Sequence, residues 1–155
     1  MENKIEIENK AKDLINSNSD EAVILYKKLW DNYNDEFNKR DAIFALKANR
    51  KSNNADIGFS MKITETFQNE DMVTGLFGWL VFDKYVKKKN YKEIIKNENL
   101  LKKMIELVPQ KNLRENYDYP CPVTICILKL VEAYKEDFFK AKKINEYLGK
   151  LNHKK

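Results

Sequence analysis

Apolar side chains recur three and four positions apart along almost the whole of this chain, and very little interrupts them. Only 4 glycines and 3 prolines occur in its 155 residues. That spacing puts the apolar positions on one face of an α-helix, whereas a half-buried strand needs strict alternation. A turn-rich β fold would also need far more punctuation than four glycines and three prolines supply. The chain is therefore expected to be all-α. Hydrophobic residues make up 43%, enough for a core, and charged residues 34%, enough to coat the outside of helices. The many asparagines are expected at helix ends and connections, where a short amide side chain can bond the backbone.

The pattern resolves into about eight helices. Ile5, Ile7, Ala11, Leu14 and Ile15 give a short amphipathic first helix, closed by the polar stretch NSNSD. Ser19, with Glu21 and Ala22 behind it, suits the next N-cap region. Ala22, Leu25, Tyr26, Leu29, Trp30 and Tyr33 form the second face, and Ile43, Phe44, Leu46 and Ala48 the third. After SNN come Ile57, Met61, Ile63 and Phe67. After QNED comes a run apolar nearly all round, with Val73, Leu76, Phe77, Leu80, Val81 and Tyr85, best buried between neighbours. Residues from Ile94 to Leu107 read as one helix ended by Pro109. QKNLRENYDYPCP is the longest loop; Val123, Ile127, Leu130 and Tyr134 follow, then Ala141, Ile144, Tyr147, Leu148 and Leu151.

Consecutive helices with short connections pack as antiparallel neighbours. Breaks near residues 18, 53, 90 and 137 recur at the spacing of a helix-turn-helix repeat. The expected architecture is a right-handed α-α solenoid in one domain, 1–155. Residues 1–17 form an N-terminal helix, 18–152 the helix pairs and 153–155 a tail. Ala22-x3-Tyr26 has the small residue and following aromatic of a tetratricopeptide helix crossing. Gly58, Gly78 and Ala141 supply further small residues, and Gly75 with Gly78 are expected to permit close helix crossing.

The segments SDEAVILYKKLWDNY, ALKANRKSNN, LFGWLVFDKYVKK, IIKNENLLKKMIELVPQ and YPCPVTICILKLVEAYKEDFFKAKKINEYLGKL carry a resemblance. Over residues 18–152 the chain resembles the degenerate tetratricopeptide-like region of bacterial TOTE conflict-system proteins. The resemblance implies a helical solenoid that docks other components, in conflict with phage or mobile elements. Asn53 and Asn34 stand where the repeat usually has Gly and often has Pro, and no nuclease, helicase or primase segment is present. The repeat's phase implies a concave face lined by the first helix of each pair. That phase puts Lys47 and Arg50, Trp79 and Phe82, and Lys129 on it. Trp and Arg are frequent binding hot spots, although aromatics at helical spacing are more often core.

The segment YPCPVTIC looks most like chemistry and is read as a helix start. Cys121 and Cys126 are C-x4-C, and the sole histidine, His153, lies in the tail, so a four-ligand zinc set is incomplete. Pro122 fits a first helical turn, and Cys126 shares the face of Val123, Leu130 and Tyr134 as a small hydrophobe. A Ser-His or Cys-His nucleophile pair has no histidine to draw on. The flanks of GLFGWL are not those of a phosphate loop. No enzyme, cofactor or metal site is expected. Two cysteines make no disulfide framework, the start ENKIEIENK is no signal peptide, and the apolar stretch Gly75 to Phe82 is far short of a bilayer span. A cytoplasmic protein without a membrane partner is expected, as monomer or weak homodimer.

The net charge of +5 is uneven: residues 86–114 carry nine Lys/Arg against three Asp/Glu. Lys87, Lys88, Lys89, Lys92 and Lys96, with Tyr85 and Tyr91 interleaved, could hold a single strand by phosphate contact and stacking. A solvated connection between helices is the simpler account of that run. The leading expectation is a protein or peptide partner in the concave groove, with nucleic acid second. An inhibitor or adaptor acting by occlusion alone comes third.

Overall fold

The structure is a computed structural model that describes residues 3–108, 121–134, 142 and 144–146. Those residues are overwhelmingly helical, with no strand among them. The chain divides into two compact units, Met1–Leu80 and Val81–Lys155.

The first unit holds α1 (Lys4–Leu14), α2 (Ser19–Asn32), a 3-10 turn (Asn34–Glu36), α3 (Lys39–Lys51), α4 (Ile57–Thr66) and nearly all of α5 (Asp71–Val81). Asparagine and aspartate set the starts. The Asn3 side chain accepts from Glu6 N–H, Asn18 from Glu21, Asn38 from Asp41 and Asp56 from Phe59. Asp41 returns the favour to the Asn38 N–H, completing a capping box. Each such cap satisfies a donor that the helix leaves unpaired and stabilises by about 0.5–2 kcal/mol. The cap of α2 is Asn18, one residue before the expected Ser19, because the amide reaches the Glu21 N–H at 3.2 Å.

Helices adjacent in sequence pack on one another: α1 on α2, α2 on α3, α3 on α4. Ala22, Tyr26 and Leu29 of α2, Ile7 and Ala11 of α1, and Ala42, Ala45, Leu46 and Ala48 of α3 are all buried. The run of alanines on α3 is what lets neighbouring helices come close. Trp30, Phe37, Phe59 and Phe67 form a second cluster, edge-on or tilted, with centroids 5.0 to 6.5 Å apart.

Polar side chains fasten the turn between α3 and α4. Asp20, in the first turn of α2, accepts from the Ser52 hydroxyl, from the Asn53 N–H at 3.0 Å and from the Asn54 amide at 3.3 Å. Fully buried Asn49 donates to Ala45 O and accepts from the Asp56 N–H, both at 2.8 Å. The expected close crossing at Gly75 is not found: a Cβ built there meets nothing within 4 Å among the described residues. Gly58 is exposed, and its Cβ would meet only the Asp56 side chain, at 3.6 Å. Gly78 alone of the three is buried.

The second unit begins with a π-helical turn (Phe82–Val86), followed by α6 (Tyr91–Lys96), α7 (Glu98–Leu107) and α8 (Pro122–Ala133). The stretch expected as one helix is two. Asn97 stops α6, and its side chain accepts from the Leu100 N–H at 3.1 Å to start α7. The apolar period runs across this break, so periodicity alone hides it. In the second unit α7 and the π turn both pack against α8. The expected helix end at Pro109, the loop expected up to Pro120, the turn expected at residues 135–139, and Ala141 and His153 lie outside the described residues.

Candidate functional site

Helix α3 presents its polar face as Arg40, Phe44, Lys47 and Lys51, spaced four, three and four residues apart, with Arg50 beside them. Positions so spaced stand above one another on one side of a helix. Three cations meet on the half-buried Phe44 ring: Lys12 of α1 at 5.4 Å from its centroid, Lys47 at 5.5 Å and Arg40 at 5.6 Å. Each is within reach of the negative ring face. None of the three is in an ion pair among the described residues. One turn on, the Arg50 guanidinium lies 5.6 Å from the half-buried Trp79 ring.

Of the five residues expected on a concave face, the structure thus joins Arg50 to Trp79 and puts Lys47 beside them on Phe44. Phe82 and Lys129 belong to the second unit, Phe82 half-buried in the π turn and Lys129 exposed on α8. The sequence reading missed Lys12, Arg40 and Phe44. The signal lies in the four-three spacing of Arg40, Phe44 and Lys47, which an apolar period through Ile43, Phe44, Leu46 and Ala48 masks.

Beside this face a cleft of about 200 Å³ lies between α1, α2 and α3. Glu8, Asp41, Tyr26, Arg40, Lys12 and Phe44 are among its walls. Asp41 is 2% exposed. Burial, then its hydrogen bond to Glu8, pushes its carboxyl up to about 7. The same hydrogen bond holds Glu8 below the usual carboxylate range, helped by Lys4 and Arg40. Lys4 Nζ lies 3.1 Å from Glu8 and 3.8 Å from Asp41. The pair therefore behaves as two carboxyls sharing one proton, with one lysine against them. Burial also raises the Tyr26 phenol well above its ordinary value, and the Asp41 and Glu8 charges add to this.

In the second unit, Lys87, Lys88, Lys89, Lys92 and Lys96 are all exposed. Lys96 is 3.8 Å from Glu93, a weak contact one turn away. Lys89 closes the π turn in the left-handed region, at φ 57°. The Lys89 N–H bonds Val86 O and the Asn90 N–H bonds Tyr85 O, the paired bonds of a Schellman cap. Lys89 and Lys129 line one open groove of about 420 Å³ with Tyr91 and Glu132. Tyr91 is itself packed edge-on against Tyr134, 6.4 Å between centroids.

Cys121 occupies the N-cap position of α8, with Pro122 next in the first turn. Cys126 is buried on the same helix, its thiol pushed up to about 12 by that burial and then by Cys121 and Asp83. No disulfide joins the two. A thiol so raised is poorly nucleophilic at neutral pH. Among the described residues no three His, Cys, Asp or Glu side chains are grouped as metal ligands, and no helix is long and apolar enough to cross a membrane. Comparison of the chain with protein-family models, curated proteins and solved structures finds no match.

Proposed function

We propose that this chain is a non-enzymatic binding module whose first unit docks an acidic peptide segment along the outer face of α3. The observation that carries the reading is the meeting of Lys12, Arg40 and Lys47 on Phe44, with no carboxylate ion-paired to any of them among the described residues. Like charges gathered around one ring repel. A carboxylate brought by a partner relieves that repulsion, and the ring gives the partner an apolar seat. Arg50 on Trp79 extends the same chemistry by one turn with two residue types that dominate hot spots.

The finer architecture proposed with this function is the right-handed stack of tetratricopeptide-like helix pairs. Sequential packing of α1, α2, α3 and α4, and buried Ala22 and Tyr26, support it. A cytoplasmic role in bacterial conflict with phage or mobile elements rests on the resemblance alone. A second reading, nucleic-acid binding, is favoured by one observation: Lys89 and Lys129 share a groove with Tyr91, beside the exposed Lys87, Lys88 and Lys92.

Fluorescence polarisation separates the two. The probes are a labelled series of Glu/Asp-rich peptides and a labelled single-stranded oligonucleotide. Peptide affinity is expected to fall at least roughly ten-fold in the Arg40→Ala, Lys47→Ala double variant. It should be unchanged when Lys87, Lys88 and Lys89 are all replaced by Ala. Oligonucleotide binding that falls steeply with salt and disappears in the triple variant, with no peptide bound, replaces the first reading with the second.

A further inference from the structure

We propose that docking on the α3 face is linked to a proton: an acidic partner binds more tightly when the Glu8–Asp41 pair holds its shared proton than when both carboxyls are ionised. The inference rests on the docking reading above and adds what regulates it. The pair and the docking cations share one cleft, whose walls include Glu8, Asp41, Lys12, Arg40 and Phe44. Asp41 is 2% exposed and bonded to Glu8, so ionising both carboxyls costs more than ionising one. The Arg40 charge already acts on Glu8 and helps to hold it ionised. Coulomb interaction is mutual, so each negative charge on the pair offsets part of the field that Arg40 and Lys12 present to a partner.

The charged and titratable groups around Asp41 are Lys4, Glu8 and Lys12 from α1, Tyr26 from α2 and Arg40 from α3, and the Asn38 N–H donates to it. With its proton in place the pair carries one negative charge. Loss of the proton doubles that charge, and Lys4 is the one cation in ion-pair contact with it among the described residues. Burial and Glu8 raise the Asp41 carboxyl to about 7, so the affinity is highest below that value and falls as pH rises through it. A partner's own Glu and Asp side chains titrate near about 4 and keep a constant charge over this range. Linkage makes the effect reciprocal: a bound partner raises the midpoint of Asp41, and docking near neutral pH takes up a fraction of a proton.

The test is fluorescence polarisation of a labelled Glu/Asp-rich peptide on the full chain, across the neutral pH range at fixed ionic strength. Affinity is expected to fall roughly three- to ten-fold between about pH 6 and 8. Asp41→Asn, which keeps the acceptor for the Asn38 N–H, should abolish that fall and bind in mild alkali as the parent binds in mild acid. Glu8→Gln gives Asp41 an amide donor in place of a charge and should move the fall to lower pH. The α-amino group and His153 titrate in the same range, so a fall that survives in Asp41→Asn belongs to them and overturns the proposal. The ¹³C shift of the Asp41 carboxyl, followed with and without peptide, should show a midpoint raised by the peptide; an unmoved midpoint also overturns it. Peptide bound with the same affinity at every pH leaves docking standing and removes the linkage. No peptide bound at any pH removes the docking reading, and the linkage with it.

Discussion

Glu8 of α1 and Asp41 of α3 share a hydrogen bond across the seam between their helices, with the Lys4 ammonium 3.1 Å from one and 3.8 Å from the other. The contact ties the first helix to the third through a proton. In the folded chain the Asp41 carboxyl is raised to about 7 from an ordinary 3.8. A raised carboxyl contributes stability that is complete below its ordinary value and is lost as pH rises through the folded value. Glu8, held low, contributes in the opposite sense, present above its ordinary 4.5 and lost only in acid. The unfolding free energy is therefore expected to decline between about pH 5 and 8, with roughly one proton released. Asp41→Asn keeps the acceptor for the Asn38 N–H and supplies a donor to Glu8. That variant should flatten the decline and exceed the parent in stability above pH 7. Urea unfolding at several pH values measures it, and an unchanged pH slope in the variant would refute the shared proton.

Gly75 sits inside α5 with open space where a Cβ would go. Glycine in a helix interior costs roughly 0.5–1 kcal/mol against alanine, mostly through the freedom of the unfolded chain. Gly75→Ala should stabilise the protein by about that amount in a denaturant titration, with no change in the urea dependence of the unfolding free energy. A destabilised variant would mean that a neighbour occupies the space.

Asn49 is fully buried and bridges Ala45 O and the Asp56 N–H. Asn49→Ala leaves the Asp56 amide without its acceptor at the start of α4. The expected loss is about 1–3 kcal/mol. Hydrogen exchange should speed up first at Asp56 and the opening turn of α4. Uniform acceleration across the first unit would argue against a local clasp.

Lys89 takes the left-handed position of a helix cap, where glycine is usual. Lys89→Gly should relieve about 1 kcal/mol of backbone strain. If the lysine turn binds nucleic acid, the same variant is more stable yet binds single strands less tightly. Thermal melts and polarisation on one sample check both halves; a gain in stability with binding unchanged removes Lys89 from any such site.

Arg50 and Trp79 support one another on the face of the first unit. The double replacement Arg50→Ala, Trp79→Ala should abolish or greatly weaken acidic-peptide binding while far-ultraviolet circular dichroism stays helical. Each single variant should cost more than half of the double, because losing either partner already disrupts the stack. Full binding by the double variant would take the α3 face out of the functional account.

The helices were largely legible in the sequence, and particular residues show why. Asn3, Asn18, Asn38 and Asp56 cap helices close to where polar breaks meet apolar periods, because capping is chemistry between residues three apart. Asn97 is the exception: Ile94, Ile95, Leu100 and Leu101 keep helical phase across it, and only the cap bond to Leu100 reveals two helices. Pro122 and Cys126 likewise fell where expected, at a helix start and on a buried face.

What the sequence determined by itself is the secondary structure, since helical period, asparagine caps and scarce glycine and proline act between near neighbours. What only the tertiary structure decided is which side chains meet. Lys12 joins Arg40 and Lys47 on one ring, Glu8 reaches Asp41, and Asp20 receives the turn at residues 52–54. Those contacts join residues far apart in the chain, and they depend on how closely the alanines of α3 let neighbouring helices approach. Periodicity says which face of a helix is buried; packing alone says which charge that burial brings against which other.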